Sequence, residues 1–147
     1  MVPLVPDGLS CFLPCVPPKT THQRKRIVRV GGFARLADAP ALVGAKATLD
    51  ALLLAHQPAA PVSGPVTLNV VFTWPWLASH GRKVREGRPI PHTSKPDLSN
   101  VIKTLEDRLV ALRFLEDDRS VSTLLVSKWW GGRPGIALTI TPVERSA

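Results

Sequence analysis

From Lys95 to Asp118 the chain reads KPDLSNVIKTLEDRLVALRFLEDD, and no other stretch limits the fold as much. Leu98, Val101, Ile102, Leu105, Leu109 and Leu112 follow the i, i+3, i+4, i+7 rhythm, which on a helix makes a single apolar stripe. Such a helix needs a surface to lie on, and the flanking segments offer one. PVTLNVVFTW (residues 65–74) and SVSTLLVSK (residues 120–128) are rich in β-branched residues, and Val66, Leu68, Val70 and Phe72 alternate onto one face of the first. The helix, running from about Leu98 or Ser99 to Leu112, should therefore pack on a sheet. Either Asp97 or Ser99 can serve as its N-cap.

The rest of the chain fits that plan. Leu9 to Val16 is apolar and bounded by Pro17 and Pro18, which predicts a first strand. Residues 39–56 (APALVGAKATLDALLLAH) place Leu42, Ala45, Leu49, Leu52 and Leu53 at helical spacing, closed by Pro58 and Pro61. After a turn through WWGGRPG, Ile136 to Thr141 reads as a last strand, with 143–147 as a polar tail. Between Pro75 and Pro96 periodicity collapses, so 79–95 is expected to be a flexible basic loop. At 147 residues and 44% hydrophobic composition the chain is the size of one domain. The prediction is a single α/β (α+β mixed) domain, a mixed sheet packed against two main helices.

Charge narrows the partners. The net charge is +8 and the sequence pI about 10.3, which favours nucleic acid or an anionic membrane. No stretch approaches the roughly 20 apolar residues that span a bilayer. MVPLVPDGLSCFLPCVPP has no basic n-region and is broken by prolines, so no signal peptide is expected. A soluble cytoplasmic protein with a nucleic-acid partner follows. Cys11 and Cys15 stand four apart, which suits neither a redox CxxC nor a zinc knuckle and predicts two reduced, partly buried thiols. His22, His56, His80 and His92 are scattered without metal-ligand spacing.

Six of the eleven carboxylates (Asp97, Glu106, Asp107, Glu116, Asp117 and Asp118) fall inside Lys95–Asp118, an acidic island in a basic chain. Cutting a phosphodiester demands neutralisation of the transition state and an activated water, and Mg²⁺ held by two or three carboxylates provides both. Asp97 at the helix entrance and Asp118 at a strand entrance would converge if that strand lay beside the helix N-terminus, with Glu116 or Asp117 as a further ligand. The competing structural roles are an N-cap for Asp97 and a solvated turn for the EDD run. Lys103, near Ser99 and Glu106 on the helix, is placed either to reach a scissile phosphate or to pair with Glu106 or Asp107; spacing alone favours the pairing. The basic residues expected to hold DNA are Lys19, Arg24, Lys25, Arg26, Arg82, Lys83, Arg85, Arg88, Lys95 and Lys128. Those at 19–29 lie in a charge run that otherwise reads as a solvated hairpin or loop. Trp74 and Trp76 suit core packing or loop anchoring better than base stacking.

Together these residues resemble the RusA-type Holliday junction resolvases of phages, prophages and bacteria. The resemblance rests on Lys95-Pro96-Asp97-Leu98-x-Asn100-x-x-Lys103, then Asp107, then Asp117-Asp118 ahead of a strand closing in Lys128. The Pro-Pro-Lys and Arg-rich beginning also matches, so the likeness covers essentially the whole chain. It implies a homodimeric, Mg²⁺-dependent (Mn²⁺ possible) endonuclease that resolves four-way DNA junctions by paired symmetric nicks. By position Asp97 and Asp118 match two catalytic aspartates and Lys103 the catalytic lysine, with Asp117 and Asp107 as further metal ligands. A two-fold dimer suits a junction that offers two equivalent strands.

One position departs from the pattern. Ser99 stands where the family carries a second Asp, and a neutral hydroxyl is a weaker Mg²⁺ ligand. Glu106 has nearly the same helical bearing, but seven residues is about 10 Å along the axis, so direct replacement looks strained. A catalytically weak or silent junction-binding protein is the alternative reading.

Overall fold

The computed structural model describes residues 8–19, 25–38 and 40–144, with 25–30 and 33–38 described in backbone alone. In chain order the elements are β1 (Leu9–Pro14), β2 (Lys25–Val30), β3 (Phe33–Asp38), α1 (Pro40–Leu54), β4 (Val66–Pro75), α2 (Arg82–Arg85), β5 (Ile90–Pro91), α3 (Leu98–Ala111), a 3₁₀ turn (Asp118–Ser120), β6 (Val121–Gly131) and β7 (Gly135–Pro142). They form one small α+β domain.

The main sheet has the order β1-β7-β4-β6-β5. β4 lies at its centre, antiparallel to β7 and parallel to β6. Its alternation explains why: Val66, Leu68, Val70, Phe72 and Trp74 are all buried on one face. The parallel β4–β6 pair needs a crossover, which the 76–120 segment supplies, with α3 as its main element. α3 lays Val101, Ile102, Leu105 and Leu109 on the sheet, and α1 adds Leu49 and Leu53. Leu13, Ile136, Leu138 and Ile140 complete that layer from β1 and β7. At the start of β7 a Cβ on Gly135 would land on the Phe12 ring of β1, so only glycine permits this approach.

The two helices are also tied by an ion pair. Arg108 of α3 donates a two-pronged hydrogen bond to Asp50 of α1, Nε to Oδ1 at 2.7 Å and an Nη to Oδ2 at 2.9 Å. β2 and β3 pair as a separate hairpin. Its two-residue turn is Gly31-Gly32, both at positive φ (58° and 87°), as tight hairpins of this kind require. From Lys25 on, the segment read as hairpin or loop is thus the first strand of a hairpin.

Two strand boundaries are corrected, and within the 79–95 segment the structure places the single-turn α2 and the short β5, which pairs with Trp129 and Trp130 of β6. Arg85 helps organise it, donating to His80 O and Leu77 O. β1 ends at Pro14 rather than Val16, and β6 continues past Lys128 through both tryptophans to Gly131 because it stays in register with Thr73 to Pro75 of β4. Trp74 is buried in the core, while Trp76 packs against its edge, at right angles to His80. Among the described residues no helix is long and apolar enough to cross a membrane. Of the 143–147 tail, residues 145–147 lie outside the described part.

Candidate active site

α3 supplies the frame of the site. Its buried stripe fixes the helix rotation, and the opposite side carries Ser99, Lys103, Glu106 and Asp107. Lys103 Nζ lies 3.8 Å from Asp107 Oδ1, one turn along the helix, and 3.6 Å from Asp118 Oδ2 in the 3₁₀ turn. The three side chains are about two-fifths to one-half exposed, so solvent screens the pairs and each contributes little to stability. Their importance is positional: one ammonium is flanked by two carboxylates at the surface.

Glu106 belongs to the same group. Its pKa is raised, first by burial, then by the negative charges of Asp118 and Asp107, with Lys103 opposing. It is half-buried and senses both aspartates, so this cluster carries more negative charge than one lysine balances. Asp118, from the turn beyond the helix, thus joins Glu106 and Asp107 around Lys103. The i, i+3 spacing of Lys103 and Glu106 was the available signal.

Asp118 reaches that position because the preceding turn is pinned to the α1–β4 connection. Val62 N donates to Phe114 O at 3.0 Å, and Gly64 N donates to Glu116 Oε1 at 2.8 Å. Arg113 turns the chain with φ at 63°. Asp118 thereby meets the Lys103 ammonium of α3. Glu116 is engaged by Gly64. Asp117 accepts from Arg119 N at 2.9 Å and also from the Arg119 guanidinium, and these bonds hold its carboxyl far below the usual range. It acts as the cap of the 3₁₀ turn.

Asp97 is the N-cap residue of α3 by backbone position, yet its side chain makes no capping bond and is exposed. Its carbonyl accepts from Asn100 N and Val101 N. Among the described residues no hydrogen bond or ion pair links its carboxylate to the Lys103 group, and no three His, Cys, Asp or Glu side chains are gathered closely enough to enclose a metal ion. The structure thus brings together Asp107, Asp118, Glu106 and Lys103, with Asp97 six residues upstream on the same helix.

The basic residues divide into four sets. Lys19, Lys83, Arg88 and Lys95 are exposed, and Arg82, also exposed, pairs with Glu86 at 2.9 Å. Arg85 is occupied by backbone carbonyls. Lys25 and Arg26 lie on β2, whose side chains are not described, and Arg24 lies outside the described residues. Lys128 is half-buried, its ammonium on Ser94 O and, at 2.7 Å, on Pro96 O.

His92, which the sequence left without a role, is 3% exposed. Its ring stacks on Trp130 at 3.8 Å and meets the Trp74 ring at a steep angle. Nδ1 accepts from Ser94 N at 3.1 Å. Burial, then the nearby Lys128 charge, push its pKa down, so the imidazole is neutral in the fold. No periodicity marks a lone histidine among prolines, so nothing in the sequence pointed to it. Cys11 and Cys15 are free, half-buried thiols whose pKa values burial raises.

A family model described as "Endodeoxyribonuclease RusA" matches residues 16–141, most of the chain and all of this cluster. The chain belongs to the RusA endodeoxyribonuclease family. It is also similar to "Uncharacterized protein YqaN" of Bacillus subtilis (strain 168), 31% identical over 94 residues. That match covers 60% of this chain and 66% of the relative's length.

Proposed function

We propose that this chain is a Mg²⁺-dependent, structure-selective DNA endonuclease that resolves four-way Holliday junctions by paired symmetric nicks. It would work as a cytoplasmic homodimer, with Mn²⁺ able to replace Mg²⁺. The observation that carries this reading is the Lys103 ammonium set between Asp107 and Asp118 in a chain of the RusA family.

The donor set fits a hard divalent cation. Mg²⁺ often takes only one or two protein carboxylates together with substrate phosphate and keeps several waters, so Asp107 and Asp118 are sufficient, with Asp97 as the next nearest in sequence. Asp117 is the least available, because Arg119 holds it. Bound there, Mg²⁺ would supply positive charge to the phosphoryl transition state and an activated water. Lys103 contributes a fixed cation at the surface, within reach of a phosphate oxygen where charge develops. The exposed Lys19, Lys83, Arg88 and Lys95 add the sequence-independent attraction that backbone phosphates require.

Ser99 supports a second reading, a junction-binding protein with weak or silent catalysis. It is exposed on the first turn of α3 and offers only a neutral hydroxyl. A labelled synthetic four-way junction with Mg²⁺ or Mn²⁺ separates the two. The nuclease reading expects paired nicks at symmetric positions that Asp118→Asn abolishes. A retarded junction whose strands stay intact in every metal would instead establish the binder, and Ser99→Asp would then be expected to restore cutting.

A further inference from the structure

Lys128 stands on β6 with its ammonium turned into the loop that leads to Asp97. It donates to Ser94 O and to Pro96 O, the carbonyls three residues and one residue before Asp97. The same strand receives His92 N on Lys128 O at 3.1 Å, and His92 in turn accepts Ser94 N. His92 is itself fixed between Trp130 and Trp74. On the other side of Asp97, its carbonyl is held by Asn100 N at 3.2 Å and Val101 N at 3.1 Å. The Asp97 backbone is thus gripped from β6 and from α3, while its carboxylate is exposed and makes no capping bond.

A half-buried lysine whose ammonium bonds two carbonyls is poorly placed to serve as a simple phosphate contact. A carboxylate meant to act at a site, by contrast, needs its backbone fixed to within fractions of an ångström. We infer that Lys128 is a positioning residue: with His92 it forms a clamp that orders residues 92–97 and sets where the Asp97 carboxylate stands. The inference rests on the nuclease reading for its consequence in catalysis, but the clamp itself can be tested without cleavage.

The test compares wild type, Lys128→Met and Lys128→Arg. Met keeps the aliphatic stem and removes the donors; Arg keeps donors and charge. Amide exchange of residues 92–100, measured by mass spectrometry on the intact protein, should accelerate about tenfold or more in Lys128→Met, with β4 and β7 unchanged as the control for folding, and recover in part in Lys128→Arg. On a synthetic four-way junction at saturating protein, the single-turnover cleavage rate of Lys128→Met should fall by about 10²-fold, the scale of a small misplacement at a reacting centre. Its Kd for the junction in Ca²⁺ should change less than about twofold, and its salt slope should stay that of wild type. Exchange unchanged at 92–100 overturns the inference. So does a weakened Kd with a salt slope lower by about one and an intact rate at saturation, the result expected of a phosphate contact. If wild type leaves junctions uncut under all metals, the nuclease reading fails, and the exchange measurement alone decides the clamp.

Discussion

Thr104 gives a sharp test of the α3–sheet packing. It is 2% exposed, and its Oγ1 is buried without a hydrogen-bond partner among the described residues. Thr104 borders a cavity of about 10 Å³ lined also by Pro18, Leu49, Phe72, Val101, Leu105 and Ile136. That volume holds at most about one water, which would need two to four polar partners. The lining side chains other than Thr104 are hydrocarbon, so the hydroxyl stays dry. Burying an unpaired hydroxyl costs about 1–3 kcal/mol, and the methyl that replaces it in Thr104→Val is worth about 0.8 kcal/mol when buried. Helix propensities of Thr and Val are close. Allowing for imperfect fit, Thr104→Val should stabilise the protein by about 1–2 kcal/mol. In a domain of this size that raises Tm by roughly 3–6 °C. Urea titration should show a higher midpoint at unchanged m-value. Thr104→Ser, which keeps the hydroxyl and loses the methyl, should be less stable than wild type by about 1 kcal/mol. A loss of stability in Thr104→Val would refute the reasoning, because it would mean that Oγ1 has a partner worth more than its burial costs.

Other perturbations probe the helix pair, the aromatic stack and the basic segment. Asp50→Ala and Arg108→Ala should each cost about 1–2 kcal/mol, between the values for exposed and buried pairs, and a double-mutant cycle by denaturant titration should find a coupling near 1 kcal/mol. His92 is held neutral below the ordinary 6.5, so the unfolded chain takes up its proton first as pH falls. Stability should therefore decline from about pH 6.5 downward until the folded pKa is passed, and thermal melts at several pH values should show a shallower decline in His92→Gln. Arg88→Ala should weaken junction binding and lower its salt slope by about one, measured between 50 and 200 mM salt. Arg85→Ala should leave the slope alone and instead speed proteolysis near residues 77–86, since its guanidinium holds Leu77 O and His80 O.

The elements were legible because burial imposes period. Val66, Leu68, Val70 and Phe72 alternate because β4 is covered on one face, and the α3 stripe repeats because one side of that helix meets the sheet. The charge run before Gly31-Gly32 left hairpin or loop open, and the paired glycines fit the turn that formed. The short elements inside 79–95 were not legible because they rest on contacts with no period: Arg85 on two carbonyls, β5 on the end of β6, His80 against Trp76 and Trp130. A lysine's charge is likewise visible in sequence, whereas the acceptors that hold the Lys128 ammonium, Ser94 O and Pro96 O, are not.

The sequence by itself determined a basic α+β chain with an acidic island on and around one helix, and it marked Lys103, Asp107 and Asp118 as residues of interest, because charge and apolar spacing are local properties of the chain. Only the tertiary structure decided which carboxylates share a lysine. Where Asp118 meets α3 depends on Val62, Gly64 and Glu116 pinning a distant turn, and long-range register of that kind leaves no periodic trace in the residues it brings together.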